Sequence, residues 1–401
     1  MSLHAPMIPA WMNEASVRML LDALADGGIV ARFVGGCVRD WVLEQPISDI
    51  DIAVDKPPET VMKALEAADI KVVPTGLKHG TVTAIIKSRP FELTTLRRDV
   101  ETDGRHAIVA FTDDWREDAS RRDFTFNALY ADRAGTIYDY FDGQTDLKAG
   151  RVRFIGDPEQ RIAEDRLRVL RFFRFHARFG KPPFDGPSFD ACRRNAATVT
   201  GLSGERVRKE LLRTLDAAGG ADAFDAMLEA GVLDHWLPEY AGSAKLRALA
   251  AREEKADALR RLAAILPVDA DATAIGKRLK LSTQESVRLQ LMLDPANAID
   301  TANLRASLYR LGTKLFIDRV LLDAPGDWRA ALALAGSWMP PELPIGGSDA
   351  LALGLKPGPR VGALIEAVER WWIAGDFSAD RDACLAELRR LADAPSSHDQ
   401  A

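Results

Sequence analysis

The stretch Phe33-Val34-Gly35-Gly36-Cys37-Val38-Arg39-Asp40, followed closely by Ser48-Asp49-Ile50-Asp51-Ile52-Ala53-Val54, decides how the chain is read. An apolar run that ends in a glycine pair reads as a strand, a turn and a helix start, and Asp49–Val54 reads as the next strand. Residues i and i+2 of a strand share a face, so Asp49 and Asp51 project together while Ile50 and Ile52 are buried behind them. Two carboxylates side by side repel. A divalent cation relieves that repulsion by taking oxygen ligands from both, and glycines let backbone N–H groups near a helix start approach a phosphate. The segment therefore points to a metal and nucleotide site. Taken singly, D-x-D also fits a solvated strand edge, and Gly-Gly a tight turn.

Outward from this segment, strand-like runs fall at Val30–Val34, Asp49–Val54, Thr81–Ile86, Phe91–Leu96 and Thr136–Tyr140. Helical periodicity marks Ala15–Ala25, Val38–Leu43, Glu59–Ala67 and Asp118–Tyr130. From about Gly156 strand signals fade. One long helix is predicted over Pro158–Phe179, broken by Gly180-Lys181-Pro182-Pro183, and another over Gly204–Leu215 with Ser203 as its N-cap. Ser282-Thr283-Gln284-Glu285 has the form of a capping box, whereas Ala270–Thr273 and Trp338–Ser348 read as loops and Pro395–Ala401 as a disordered end. The fold class is α+β, with a mixed part over 1–148 and helical parts over 149–240 and 241–401.

The chain has 401 residues, 47% hydrophobic and 28% charged, with a net charge of −6. No apolar stretch approaches the length of a membrane span, and the first ten residues do not read as a signal peptide. Cys37, Cys192 and Cys384 are widely spaced with no C-x-x-C, which argues against a disulfide framework or zinc site and fits the cytoplasm. Charge is uneven: Arg151–Arg213 holds fifteen Lys and Arg against eight Asp and Glu. Such a segment is either a track for phosphates or a solvated helix pair.

Three further runs carry chemistry: Glu92 in Pro90-Phe91-Glu92-Leu93-Thr94-Thr95-Leu96-Arg97, then Arg121-Arg122-Asp123-Phe124-Thr125-Phe126-Asn127, then Glu164-Asp165-Arg166-Leu167-Arg168. On a helix Asp123 and Asn127 lie at i and i+4, where they can hold a ribose hydroxyl. Asp165 and Arg168, at i and i+3, offer an acceptor beside a donor. Cytosine and adenine both present an amino donor beside a ring-nitrogen acceptor, so this pair suits C and A and rejects U and G.

With the opening segment, these runs resemble the class II nucleotidyltransferases, which include tRNA CCA-adding enzymes and bacterial poly(A) polymerases. The resemblance is close over residues 30–180 and thin beyond 240. It implies a nucleotidyltransferase head followed by helical neck, body and tail, with tRNA, CTP and ATP as substrates and two Mg²⁺ ions in phosphoryl transfer. Asp49 and Asp51 are the implied metal ligands and Glu92 a supporting carboxylate. Gly35, Gly36, Arg39, Arg122, Asp123 and Asn127 contact the nucleotide, Asp165 and Arg168 select its base, and Arg171 and Arg174 continue a basic edge toward Arg178. Asp139-Tyr140-Phe141-Asp142-Gly143-Gln144-Thr145-Asp146-Leu147 resembles the family's hinge element, Arg98–His106 a mobile loop, and Gly346–Gly362 a segment of the tRNA grip.

Residue by residue, alternatives stand beside these readings. Glu92 also fits a partner for Arg97 or Arg98, Arg39 with Asp40 a surface ion pair, Asp123 with Asn127 a pair of helix-capping residues, Asp165 with Arg168 an intrahelical salt bridge, which spacing alone favours, the arginine stripe a solvated face, and the Asp-Gly element an ordinary turn. For the whole chain, poly(A) synthesis, addition of CC or A alone, and a silent RNA-binding module are the rivals. A dinucleotide fold lacks its G-x-G-x-x-G.

Overall fold

The computed structural model describes residues 8–47, 49–102 and 107–394. The disordered end expected over Pro395–Ala401 lies outside them, as do Ser48 and most of the first ten residues. The described chain forms two compact units, one running to Ser243 together with Lys277–Leu281, the other comprising Ala244–Gly276 and the part from Ser282 onward.

The first unit is built on a mixed sheet of β1 (Ala31–Val34), β2 (Asp51–Val54), β3 (Lys71–Gly76), β4 (Thr81–Ile86), β5 (Arg89–Thr95), β8 (Leu129–Ala131) and β9 (Ile137–Asp139), in the order β3-β4-β5-β2-β1-β8-β9. β1 runs antiparallel to β2 and β8, whereas β2 and β5 are parallel. That one parallel pairing sets Asp51 directly opposite Glu92. β5 alternates, with Phe91, Leu93 and Thr95 inward and Glu92 outward, the pattern of a half-buried strand. Helices α1 (Ala15–Asp26), α2 (Gly36–Val42) and α3 (Pro58–Ala67) accompany the sheet. β6 (Arg97–Thr102) and β7 (Ala107–Phe111) pair separately as a hairpin. A loop was expected there; the backbone on both sides of residues 103–106 is strand, and those four residues lie outside the description.

The helix expected over Asp118–Tyr130 is not one element. α4 (Trp115–Ser120) stops at Arg121, a 3₁₀ turn spans Thr125–Ala128, and β8 follows. Local hydrogen bonding accompanies the break: the Asp123 carboxylate accepts from the backbone Phe124 N–H at 2.9 Å, a donor that a continuing helix would have used, and from the Asn127 side-chain amide at 2.9 Å. Phe124 and Phe126 then turn inward, fully buried; Phe124 stacks on Phe126 and Phe154, and both meet Phe175 edge to face, with centroids 4.7 to 5.4 Å apart. Aromatic pairs of this kind contribute about 0.5 to 1.5 kcal/mol each beyond area burial.

The helix expected over Pro158–Phe179 is also two: α6 (Pro158–Glu164) and α7 (Leu167–Phe179). Asp165 between them is extended, at φ −150° and ψ 106°, and its side chain accepts from the Leu167 N–H at 3.1 Å. Neither glycine nor proline marks the break, because an extended aspartate whose side chain takes a backbone N–H of the next turn is enough. α5 (Gly143–Ala149), α8 (Gly186–Arg194), α9 (Gly204–Asp216) and α10 (Gly220–Glu229) complete the unit. Ser203 stands at the N-cap of α9 in an extended conformation without donating or accepting a side-chain cap bond. Beyond β9 the described residues hold no strand, only an isolated bridge between Phe154 and Phe124. The architecture is α+β in the head and all-helical after it.

The second unit is helical throughout. Its capping box at Ser282 and Glu285 is formed, and buried ion pairs of Arg260 and Arg288 with Asp318 tie its helices together. Two expected loops are shorter than read, since helices already begin at Ala272 and Gly347.

Candidate active site

A cavity of about 990 Å³ lies within the first unit, and its wall gathers residues from five separate stretches of chain. Gly35 and Gly36 line it where β1 turns into α2. Gly35 takes φ +71° and ψ −120°, a conformation closed to side-chain-bearing residues, so glycine is required there. Arg39, one turn into α2, is buried; it donates to Asp40 at 2.8 Å and to the Asn127 side-chain oxygen at 2.7 Å. The expected Arg39–Asp40 pair is therefore real, and it is a buried pair aimed into the cavity wall rather than a surface one.

Asp49 and Asp51 both line the cavity. β2 begins only at Asp51, so Asp49 precedes the strand, and it is the cavity that brings the two carboxylates together. Asp51 is exposed to solvent inside a concave wall. The surrounding protein pushes its carboxyl upward, Arg122 opposes this, and the charge of Asp49 pushes it further up. Glu92 is raised in the same way, by burial first and then by Asp51, with Arg97 opposing. Glu92 is the neighbour of Asp51 across the β2–β5 pair and feels the charge of Arg97, and it does not line the cavity. Among the described residues no three His, Cys, Asp or Glu side chains form a metal nest. Behind Asp51, the buried Cys37 thiol lies 3.4 Å from the Val34 carbonyl and 3.7 Å from the Asp51 carbonyl, and burial pushes it up to about 11.

Arg122 is fixed by a buried hub. Asp118 accepts from Tyr130 at 2.5 Å, from Arg121 at 2.7 Å, from Arg122 at 3.3 Å and from the Arg97 backbone at 3.1 Å. Burial alone would raise Asp118, but Arg122, Arg121 and the Tyr130 hydroxyl together hold it at about 2.

Asp123 and Asn127 meet as expected, through the turn described above rather than along a helix face. Arg171 closes on Asp123, with Nε at 2.7 Å. Against the effect of burial, Arg171, the Asn127 amide and Arg168 hold Asp123 at about 2. Asp165 and Arg168 also line the cavity, again without a shared helix face. Arg206 of α9 donates to both Asp165 oxygens, at 3.0 and 2.8 Å. Arg168 donates to Glu164 at 2.6 Å and to the Arg121 carbonyl at 3.0 Å.

The stripe Arg168, Arg171, Arg174 and Arg178 is not a free basic edge. Its members pair in turn with Glu164, Asp123, Glu210 and Asp40. Phe175, which sequence reasoning passed over, sits under the guanidiniums of Arg174, Arg171 and Arg39 at 3.9, 5.3 and 5.2 Å. Also missed were Arg206, Glu210 and Arg213 on α9. Their i, i+4, i+7 spacing on an expected helix was the available signal.

The Asp139 element caps a helix. Asp139 accepts from the backbone of Gly143 and Gln144, both at 2.9 Å, and a side chain at Gly143 would meet the Thr125 carbonyl. It thus docks α5 on the turn that carries Asn127.

Residues 31–153 match the family described as "Poly A polymerase head domain" and residues 184–243 that described as "Probable RNA and SrmB- binding site of polymerase A". The chain is 32% identical to the mitochondrial CCA tRNA nucleotidyltransferase 1 of Mus musculus, over 97% of this chain and 93% of that protein. It is 30% identical to the CCA-adding enzyme of Limosilactobacillus fermentum, over 96% of this chain and 98% of the other. Among solved structures, the CCA-adding enzyme of Bacillus stearothermophilus in complex with CTP superposes with a TM-score of 0.79 at 28% identity, covering 94% of this chain and 97% of that one. The sheet, the cavity and these likenesses agree: the chain belongs to the CCA-adding enzyme family of class II nucleotidyltransferases.

Proposed function

We propose that this chain completes tRNA 3′ ends by adding C, C and A from CTP and ATP, releasing pyrophosphate. The observation that carries the proposal is the convergence of Gly35, Arg39, Asp49, Asp51, Asp123, Asp165 and Arg168 on one cavity, in a chain alike over almost its whole length to CCA tRNA nucleotidyltransferases. We assign catalysis to the head over 1–148, base selection to the neck over 149–240, and tRNA binding to the body and tail over 241–401.

Asp49 and Asp51 fit Mg²⁺. Their oxygens are hard donors, Asp51 is raised by burial and further by the charge of Asp49, with Arg122 opposing, and magnesium is commonly held by one or two carboxylates with phosphates and water completing the shell. Bound there, the ion pair of a two-metal site would neutralise developing charge and acidify the attacking 3′-hydroxyl. The protein's own groups position the substrate. Gly35 and Gly36 give the triphosphate access to backbone, and Arg39 and Arg122 face it with positive charge. Asp123 and Asn127 hold the ribose. Asp165 then exchanges Arg206 for the amino group of C or A, and Arg168 exchanges Glu164 for the ring nitrogen. Uracil and guanine leave both groups unpaired, which costs more than a lost contact alone.

Among the described residues no helix is long and apolar enough to cross a membrane. The three buried free thiols suit a reducing compartment, and we place the activity in the cytoplasm. Extension of a tRNA lacking CCA, with each nucleotide alone and together, tests the assignment. Addition of C, C and A is expected. Long A tracts without C would instead support a poly(A) polymerase, the second reading, which the names of the matched head and RNA-binding families favour.

A further inference from the structure

Eight of the nine arginines that line the cavity have a carboxylate within ion-pair reach. The ninth is Arg213, near the end of α9, an exposed residue that no ion pair joins to a carboxylate among the described residues. It stands close enough to Arg174 for the two charges to repel. Asp216, three residues on, lines the same cavity, and a guanidinium held beside another in a cavity wall, with no ion pair to a carboxylate among the described residues, is in the position of one waiting for an anion.

Its place on the helix says which part of a substrate it meets. Arg206, Glu210 and Arg213 follow one another at i, i+4 and i+7, and the first two are engaged with Asp165 and Arg174. Arg213 is therefore about two helical turns, roughly 10 Å, from the residue that holds the base-reading carboxylate. At that separation it does not read the same base. Arginine forks suit phosphate oxygens, and phosphate is the anionic group that both substrates of this reaction carry.

We propose that Arg213 is a phosphate-binding residue of the cavity, taking an oxyanion of either the incoming triphosphate or the acceptor strand. The proposal rests on the reading of the cavity as the site of nucleotide addition. Binding measured without turnover separates the two. CTP binding is followed by calorimetry and binding of tRNA lacking CCA by filter retention, with the full chain and with Arg213→Ala and Arg213→Lys.

If the unmodified protein binds neither ligand, the functional reading itself falls. If it binds both, Arg213→Ala is expected to weaken one of them five- to twentyfold, with Arg213→Lys recovering part of the loss. A loss confined to tRNA, with the slope of log affinity against log salt reduced by about 0.7 to 0.9, assigns the site to the acceptor strand; a loss confined to CTP assigns it to the triphosphate. Unchanged affinity for both, with the thermal transition intact, overturns the proposal.

Discussion

The two ends of the cavity handle charge in opposite ways. At one, Asp49 and Asp51 stand together with Glu92 beside them, and the carboxyls of Asp51 and Glu92 are raised, by burial first and then by the charge of a neighbouring carboxylate. At the other, Asp123, Asp165, Arg168 and Arg171 are each already matched by a partner of opposite charge, and Asp123 is held at about 2. On the proposed assignment, a cation and a polyphosphate together relieve the penalty at the first end. The charges named at the second are paired before a substrate arrives, so on the same assignment a base would be chosen by exchange of hydrogen bonds, in which a mismatch is penalised by what it leaves unpaired.

The sharpest way to break this contrast is at Asp51. Asp51→Asn removes an oxygen charge where we propose that the cation binds, and nucleotide addition at saturating substrate is expected to fall about a thousandfold or more, about 4 kcal/mol. Because the folded-state pKa of Asp51 is raised, its ionised form is penalised at neutral pH. The same substitution should therefore raise the thermal midpoint slightly, and a fall in both activity and midpoint would count against the contrast.

At the opposite end, Arg168→Ala should act on choice more than on chemistry. Discrimination of CTP over UTP, read from the ratio of kcat/KM values, is expected to drop about ten- to a hundredfold, with weaker turnover. An equal loss for both nucleotides would show that Arg168 supports the fold of the site and does not read the base.

Acid unfolding probes the prepaired end directly. Asp118 and Asp123 have folded-state values depressed to about 2 from 3.8. Each therefore contributes stability that is present above the unfolded value and is lost as pH falls through the folded one, between about pH 4 and 2. The contribution is about 2 kcal/mol for each. Denaturant midpoints measured across that window should flatten in Asp123→Asn, and an unchanged slope would falsify the assignment.

Arg178→Ala should do least. Its pair with Asp40 spans 3.1 Å but Arg178 is partly exposed, and Arg39 retains the same carboxylate, so a loss under about 1 kcal/mol in midpoint stability is expected.

Much of this site was legible because its strongest signals are local. Gly35, Asp49, Asp51 and the Arg122-Asp123 run lie within short motifs whose spacing carries their chemistry. Periodicity misled where a side chain took over a backbone's hydrogen bonds. Asp123 and Asp165 each accept a backbone N–H one or two residues further on, and both segments read as uninterrupted helices because aspartate, unlike proline, does not forbid helix. The residues nevertheless met as expected, since tertiary packing of Phe124 and Phe126 against Phe175 supplied the juxtaposition that helix geometry was expected to give. What α9 contributes was hidden for a different reason. Arg206 and Glu210 matter through partners 41 and 36 positions away, and charge pattern alone does not say which face of a helix a cavity will use.

The buried thiols carry a practical consequence. Cys37, Cys192 and Cys384 are all the cysteines of the chain, and all are buried. Cys37, packed beneath the strand of Asp51, is pushed up to about 11 and so is almost wholly protonated at neutral pH. A maleimide probe therefore meets no fast-reacting native sulfur. One cysteine introduced on an exposed face becomes the single labelled position of an otherwise unaltered chain, and a fluorophore there reports on nucleotide entry without any native cysteine having been removed.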